Sequence, residues 1–226
     1  NLEFDHADIF ADLAAIETQF HHLVRIVPHN GRLIVNGNEE SLARVLARGC
    51  WSEVERFGDG HCWQSEVTGS GADEVVHFSL DGEACGSVHI PLPGEHNRSN
   101  ALAAIAAARH VGVPPQLAAK AMASFAGVRR RMEVRGEVRG ITVYDDFAHH
   151  PTAIELTLQG LRARIGVGRI IAVLEPRSNT MKLGVMKARL ADSLAGADAV
   201  FCYAHNLGWD VAEALAPLGA QAGVHD

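Results

Sequence analysis

The sequence predicts an α/β protein with two domains, and two patterns support this prediction. Along residues 129–226 strands alternate with helices, which is typical of a parallel, doubly wound, Rossmann-like sheet. Along residues 1–128, helical stripes surround a group of short β-type segments that we interpret as antiparallel strands. We place the boundary near Gly127–Arg131, which gives domains of residues 1–128 and 129–226.

The first domain is predicted to begin with an amphipathic helix. Apolar residues recur at steps of three and four from Ile9 to Val27, with Asp8 as the N-cap and the turn 28–31 as the end. RLIVN (32–36) is predicted to be a short buried strand.

A second helix is predicted over 41–49, where Gly49 suits a left-handed C-terminal position. The β-type segments lie between 51 and 92, with a turn at Asp81–Gly82; they are SEVERF, CWQSEV, EVVHFSL and CGSVHIPL. An alanine-rich helix over 94–114 and a short helix, PQLAAKAMASF, complete this domain.

The second domain is predicted to begin with two hairpin-like strands in 127–146. The helices and strands that follow are PTAIELTLQGLRARI, RIIAVLEP, KLGVMKARLADSLAG, DAVFCYA and GWDVAEALAPLG. The chain lacks an initiator Met and stops at AQAGVHD, where a parallel-sheet domain would have a further strand. We therefore expect an internal piece of a longer protein.

Composition and charge exclude several classes of protein. The 226 residues are 47% hydrophobic and 21% charged, which indicates a globular protein. A net charge of -7 argues against nucleic acid or an anionic membrane as the main partner, and no apolar run approaches the ~20 residues of a membrane span. Four scattered cysteines without a C-x-x-C pair fit reduced thiols, so we expect a cytoplasmic protein.

One cluster places Asp145, Asp146, His149 and His150 within six positions, just before Pro151. Helix capping explains one such residue but not four. A metal site, a hydrolytic centre and a contact surface for a larger ligand remain as alternatives, although the ligand spacing of a zinc site is absent. The cluster follows the domain's first long strand and precedes a helix, a position that we interpret as the carboxyl-end crevice where α/β sheets bind ligands.

A second cluster, at the start of the chain, contains Glu3, Asp5, His6 and Asp8. These residues suit either helix capping or the neighbourhood of Mg²⁺ or a phosphate.

Two further clusters contain polar groups that suit a nucleotide. His96, Asn97 and Asn100 begin a helix and suit stacking on a base and bonding to its edge, although Asn97 could also be an N-cap. The arginine run 129–131 is either a solvated surface or a set of phosphate ligands at the domain boundary. No G-x-x-x-x-G-K-[ST] phosphate loop occurs in the chain.

The ordered motifs N-L-E-x-D-H, G-x-H-N-x-x-N-A, R-R-M-E and D-D-F-A-H-H-P-T resemble the Mur ligases, ATP-dependent amide-forming enzymes of peptidoglycan synthesis. The resemblance covers the whole chain, from the second half of the central ATPase domain into a partial C-terminal domain. D-D-x-x-H-H-P-T is similar to the muramate branch, while N-L-E-F-D-H-A-D-I-F and E-P-R-S-N-T-M-K-L-G are most similar to the recycling member of that branch.

The resemblance implies a reaction in which UDP-N-acetylmuramate is joined to the murein tripeptide L-Ala-γ-D-Glu-meso-diaminopimelate through an acyl phosphate, with ATP and Mg²⁺. It also implies roles for individual residues. His6 would lie at the Mg²⁺ site, and His96, Asn97 and Asn100 would face the adenine. The remaining roles are phosphate contact for Arg131, ribose contact for Asp146 with His149 nearby, and peptide binding for Arg177, Ser178, Asn179 and Thr180.

The chain departs from the Mur ligase pattern because the UDP-sugar-binding N-terminal domain and the phosphate loop are missing. We therefore expect the chain alone to be inactive. The alternatives are a UDP-N-acetylmuramate–L-alanine ligase and a non-catalytic nucleotide- or peptide-binding module of the same fold. A metal-dependent hydrolase centred on residues 145–150 is the least favoured alternative.

Overall fold

The computed structural model describes residues 1–69, 73–92 and 94–225. The chain separates into two compact units. The first contains Asn1–Phe4, Phe10–Pro91 and Glu95–Ala126, and the second contains Asp5–Ile9, Leu92–Gly94 and Gly127–Asp226. The second unit thus includes a short segment from near the start of the chain. No helix in the described ranges is long and apolar enough to cross a membrane.

The first unit combines a five-stranded sheet with four helices. Its elements, in chain order, are α1 Leu13–Ile26, β1 Arg32–Asn36, α2 Glu40–Ala47, β2 Glu53–Phe57, β3 Trp63–Thr68, β4 Val75–Leu80, β5 Glu83–Val88, α3 Glu95–His110 and α4 Pro115–Met122. The predicted helices at 41–49, 94–114 and 115–125 are confirmed, with ends that differ by a few residues. The strand at 32–36 is also confirmed, but its residues are half-buried and not buried as predicted.

The sheet of the first unit is mixed, with strand order β1-β2-β3-β4-β5. β1 pairs with β2 in parallel, and β2 meets β3 through one parallel bridge, Phe57–Trp63. The prediction that all these strands are antiparallel is therefore wrong for β2, because α2 provides a crossover between β1 and β2. The β3–β4 and β4–β5 pairs are antiparallel, and Asp81 and Gly82, both with positive φ, form the predicted turn.

α1 begins later than the sequence predicted. Its N-cap is Asp12, whose carboxylate accepts the backbone N–H of Ala15 at 2.8 Å. The prediction of Asp8 as the cap is wrong, since the Asp8 carboxylate accepts instead from the Asn179 side chain, 171 residues away.

α1 also carries a buried carboxylate. Glu17 is 4% exposed and accepts hydrogen bonds from Arg44 at 2.9 Å and from Arg48 at 3.0 Å. These two arginines neutralise the charge and fasten α1 to α2 and the turn that follows it.

A hydrophobic core lies between this sheet and the alanine-rich α3. Trp63, Phe78, Leu102 and Ile105 are fully buried there. The small side chains along α3 let the helix approach the sheet closely, as the sequence suggested.

The second unit contains a hairpin, a three-stranded parallel sheet and several helices. Its elements are β6 Glu133–Val138, β7 Ile141–Asp145, α5 Pro151–Ile165, β8 Ile171–Leu174, α6 Asn179–Lys182, a 3₁₀ turn Lys187–Arg189, α7 Leu190–Leu194, β9 Ala199–Tyr203, α8 Val211–Leu215, a 3₁₀ turn Ala216–Gln221 and β10 Ala222–His225.

The parallel sheet has the order β10-β9-β8, while β6 and β7 form a separate antiparallel pair. The hairpin predicted in 127–146 is therefore confirmed, but its strand β7 lies outside the parallel sheet, so the cluster of residues 145–150 does not follow a strand of that sheet. At AQAGVHD, where a further strand was expected to be missing, the chain itself forms β10, paired in parallel with β9.

The predicted helix over KLGVMKARLADSLAG is interrupted. Gly184 has φ +70°, a left-handed conformation that ends α6, and the chain resumes helical form only in the 3₁₀ turn and α7. A Cβ on Gly184 would lie 2.8 Å from the Trp209 ring, so both conformation and space call for glycine.

The core of this unit lies on the helix-covered side of the parallel sheet. Its fully buried members include Leu190, Leu194, Val200, Cys202 and Leu215. Packing in this core fixes the positions of the strands in the sheet, and therefore the position of the loop that follows β8.

Candidate functional site

The loop between β7 and α5 is organised by Asp146. One carboxylate oxygen accepts the backbone N–H of Met132 at 2.8 Å, and the other accepts that of Ala148 at 2.7 Å. The carboxylate thus joins the arginine run before β6 to the loop after β7. N-capping of α5 falls instead to His150, whose Nδ1 accepts the Thr152 N–H at 3.3 Å, and Pro151 occupies the first helical position as predicted.

Phe147 lies against the two arginines that precede β6. The guanidinium carbons of Arg130 and Arg131 lie 4.8 and 5.9 Å from the centre of its ring, within cation–π range. Arg130 also lies 3.6 Å from Asp145, and its backbone carbonyl accepts the Phe147 N–H at 2.8 Å. Arg131 is exposed, with its guanidinium on the surface of this unit.

His149 is oriented by its own loop. Its Nδ1 donates to the Phe147 carbonyl at 2.9 Å, which leaves Nε2 directed toward the Asp5 carboxylate at 3.7 Å. The Phe147 ring packs edge-on against the imidazole at 5.1 Å between centres. The His–Asp pair gains an ionic attraction when the imidazole is protonated.

The segment Asp5–Ile9 forms a turn within the second unit. His6 has φ +54°, uncommon for a residue with a side chain, and its carbonyl accepts the Ile9 N–H at 2.8 Å. Asp5 accepts the His6 N–H at 2.7 Å and the Thr180 hydroxyl at 2.8 Å. Burial acts to raise the pKa of Asp5, but these two hydrogen bonds, together with the electrostatic influence of His6 and His149, hold the pKa below its ordinary value.

The loop after β8 combines exposed and buried side chains. Arg177 is 77% exposed and lies 3.9 Å from Glu175. The Ser178 hydroxyl caps α6 by accepting the Met181 N–H at 3.3 Å. Thr180 is buried at 4% exposure, in contrast to Arg177.

The polar helix start in the first unit differs from the prediction in one respect. α3 begins at Glu95, so Asn97 lies inside its first turn and is not the N-cap. His96, Asn97 and Arg98 are half-buried, Asn100 is exposed, and Arg98 lies 3.4 Å from Glu74.

Within the described ranges, no group of three or more His, Cys, Asp or Glu side chains is arranged to hold a metal ion. Asp146 is hydrogen-bonded to backbone amides and His150 caps a helix. These contacts assign structural tasks to two members of the histidine–aspartate cluster.

Two protein-family models match the chain over most of its length. Residues 1–108 match the Mur ligase middle domain, and residues 130–226 match the Mur ligase glutamate ligase domain. The chain belongs to the Mur ligase family.

Individual Mur ligases show how much of such an enzyme the chain represents. The UDP-N-acetylmuramate–L-alanyl-γ-D-glutamyl-meso-2,6-diaminoheptandioate ligase of Escherichia coli K12 is 58% identical over 94% of this chain and 47% of its own length. A UDP-N-acetylmuramate–L-alanine ligase of Acidothermus cellulolyticus is 37% identical over 78% of this chain and 38% of its own length. The chain thus spans about half the length of the two curated relatives that match 94% of it.

A solved structure supports the same relationship. The murein peptide ligase of Psychrobacter arcticus superposes with a TM-score of 0.68 and 39% identity, covering 96% of this chain and 48% of that protein.

In this Mur ligase chain, the second unit brings several predicted residues into two neighbouring groups, which the 3.7 Å contact between His149 and Asp5 connects. Asp146 and Arg131 meet around the loop after β7, while His149, His6 and Thr180 meet around Asp5. His96, Asn97 and Asn100 belong to the first unit and are described separately.

Four residues organise this region without a specific role from the sequence: Asp5 and Arg130 were singled out only as members of clusters, and Glu133 and Phe147 only as parts of motifs. All four lie inside or directly beside motifs that the sequence did single out. Their positions in or beside these motifs could therefore have indicated that they matter, but the sequence did not show which groups they contact.

Proposed function

We propose that this chain acts as part of a longer ATP-dependent ligase that joins the murein tripeptide L-Ala-γ-D-Glu-meso-diaminopimelate to UDP-N-acetylmuramate. The main support is its 58% identity, over 94% of the chain, to the Escherichia coli ligase named for that pair of substrates. Since the chain spans 47% of that relative, the activity is proposed for the longer protein. Residues 1–128 would be the C-terminal part of its ATP-binding domain, and 129–226 would belong to its ligase domain.

The proposed reaction has two steps. A carboxylate is a poor electrophile, so the muramoyl carboxylate first takes the γ-phosphoryl group of ATP, with ADP leaving. The tripeptide amine then attacks the acyl carbon, phosphate leaves with the C–O bond electrons, and the amine gives up a proton. Phosphoryl transfer depends mainly on positioning and on neutralising negative charge, so cationic and hydrogen-bonding side chains are the expected machinery.

For the nucleotide, we propose that His96, Asn97 and Asn100 contact the adenine and that Arg131 contacts the phosphates. An imidazole and two amides at the start of α3 offer a flat face and paired donors and acceptors. Arg131 suits phosphate because its guanidinium is exposed and offers a planar set of donors.

Asp146 is proposed to bind the ribose, with His149 beside it. Each Asp146 oxygen already accepts one backbone N–H, but a carboxylate has about four acceptor sites, so ribose hydroxyls can still donate to it.

For Mg²⁺ the residues of this chain do not fit a complete site. The ion takes six ligands, mostly oxygens, and no three suitable side chains converge in the described ranges. His6 offers one imidazole from an exposed turn. We therefore propose His6 only as a neighbour of the metal and assign no step to the ion.

For the peptide, we propose Arg177 as the main contact, with Ser178 beside it. The tripeptide presents several carboxylates, whereas free L-alanine presents one. An exposed guanidinium can bind a carboxylate through two parallel hydrogen bonds.

The test is a set of ligase assays on the full-length protein with UDP-N-acetylmuramate and ATP. Tripeptide, tetrapeptide and L-alanine are compared in parallel, with phosphate release measured against a control that lacks the amine. We expect the tripeptide to give a higher kcat/KM than L-alanine. Preference for L-alanine would favour a UDP-N-acetylmuramate–L-alanine ligase, and no amine-dependent phosphate release would favour a binding module.

A further inference from the structure

The first turn of α6, which follows the loop after β8, makes three side-chain contacts with the segment Asp5–Ile9, more than 170 residues earlier in the chain. Thr180 donates its hydroxyl proton to Asp5 at 2.8 Å and accepts the Ala7 N–H at 3.2 Å. The Asn179 amide donates to the Asp8 carboxylate at 2.7 Å. These contacts surround His6 on both sides along the chain.

The chemistry of Thr180 argues against a role in binding the peptide. Its side chain is 4% exposed, and its hydroxyl already donates one hydrogen bond and accepts another. A hydroxyl has a single proton to donate, so a peptide carboxylate would have to displace Asp5 to be bound by it. Asn179 is exposed, but its amide is directed to Asp8.

The held segment carries backbone strain that needs support. His6 has φ +54°, and such a conformation at a residue other than glycine persists only where the surroundings fix it. The Asp5 carboxylate accepts the His6 N–H, and Thr180 in turn fixes that carboxylate. Thr180 therefore stabilises the conformation that determines the direction of the imidazole.

We propose that Asn179 and Thr180 are positioning residues that hold Asp5–Ile9, and with it His6, for phosphoryl transfer, and are not ligands of the peptide. This inference rests on the proposed function for the role of His6. The holding of the segment rests on the contacts alone. Arg177, in the loop after β8, is then directed to a ligand, whereas the first turn of α6 holds the segment Asp5–Ile9.

The first arm of the test measures amide hydrogen exchange in the full-length protein without ligands. Thr180→Val keeps the shape but removes the hydroxyl, so exchange at His6 and Ala7 should rise about tenfold. Thr180→Ser should restore protection. Ser193→Ala is the matched control, because it also removes a buried hydroxyl, one that donates to Leu190 at 2.8 Å in α7.

The second arm separates KM from kcat in ligase assays. If Thr180 positions His6, Thr180→Val should lower kcat about tenfold and change the tripeptide KM less than about twofold. Asn179→Ala, at an exposed position, provides a second variant if Thr180→Val folds poorly. Asn179→Ala and Asp8→Ala should also be non-additive in their effect on exchange, because each removes the same contact.

The outcomes distinguish the two proposals. Unchanged exchange at residues 5–9, or a tripeptide KM raised tenfold or more with kcat retained, would overturn the positioning role. Raised exchange with wild-type kinetics would overturn it as well, since the segment would be held without serving the reaction. If the wild type joins no peptide, the proposed function is wrong, and exchange alone decides whether the pair holds the segment.

Discussion

Replacing Asp146 by alanine should loosen the junction between the arginine run and the loop after β7. The side chain accepts the N–H groups of Met132 and Ala148 at 2.8 and 2.7 Å, and the substitution removes both acceptors. Hydrogen bonds to a charged group contribute about 1.5–3 kcal/mol each to stability. Because Asp146 is half-buried, water can replace part of the hydrogen bonding that the substitution removes. We expect a loss of about 2–4 kcal/mol in local stability, and about half of that for Asp146→Asn, which keeps one acceptor.

The measurement is site-resolved hydrogen exchange at Met132 and Ala148, together with urea unfolding of the second unit. Asp145→Asn is the matched control. The neighbouring Asp145 carboxylate lies 3.6 Å from Arg130, and both side chains are substantially exposed, at 35% and 55%. Such a pair contributes about 0–1 kcal/mol, so this variant should differ little from wild type.

Equal effects of Asp146→Ala and Asp145→Asn on exchange and unfolding would refute the reasoning. A further result would separate the structural role of Asp146 from its proposed contact with the ribose. A raised ATP KM with unchanged exchange at Met132 and Ala148 would show direct contact with the nucleotide and no structural role.

Three further predictions follow from other parts of the chain. Glu17→Ala should lower the free energy of unfolding by about 2–4 kcal/mol in urea titrations. The control Glu40→Ala removes a 95% exposed side chain 3.9 Å from Arg44 and should change that free energy by less than about 0.5 kcal/mol. Similar values for the two variants would contradict this prediction. In the full-length enzyme, Arg177→Ala should raise the tripeptide KM about 10- to 100-fold and the ATP KM less than twofold, and an unchanged tripeptide KM would exclude the proposed contact. Burial raises the pKa of Cys202 from 9.0 to about 11, so the unfolded thiol ionises first as pH rises and stability should fall by about 1–2 kcal/mol between pH 9 and 11. That decline should be smaller in Cys202→Ala, and an identical pH profile would rule out this thiol as its cause.

Much of the secondary structure could be predicted because its signals are local. Pro151 begins α5 and Ser178 caps α6, and both follow from the chemistry of a single helix end. Strand direction could not be predicted in the same way, because alternating residues in β2 do not specify which way its neighbour runs. The start of α1 was misplaced for a related reason. Asp8 and Asp12 are equal candidates for a cap until Asn179 engages one of them.

For the candidate site, too, local features could be predicted and long-range contacts could not. The motifs identified which short stretches matter, because clustered histidines, arginines and carboxylates are chemically unusual in an acidic protein. They did not show that the β7 strand lies outside the parallel sheet or that Thr180 faces Asp5. Both facts depend on pairings between distant parts of the chain, which a local pattern does not encode.

Three carboxylates of these motifs share one structural task. Each accepts the backbone N–H of a residue that has a side chain and a positive φ; the pairs are Asp5 with His6, Glu133 with Arg130, and Asp146 with Met132. A left-handed residue other than glycine is unfavourable, so the charged acceptor offsets part of the strain and selects one backbone path. Arg131 lies between Arg130 and Met132, two of the left-handed residues, and His6 is itself the third. The held turns therefore fix the direction of the Arg131 guanidinium and of the His6 imidazole. The acids in the motifs therefore act first on the backbone, and the groups proposed to meet ATP are oriented by the turns that these acids hold.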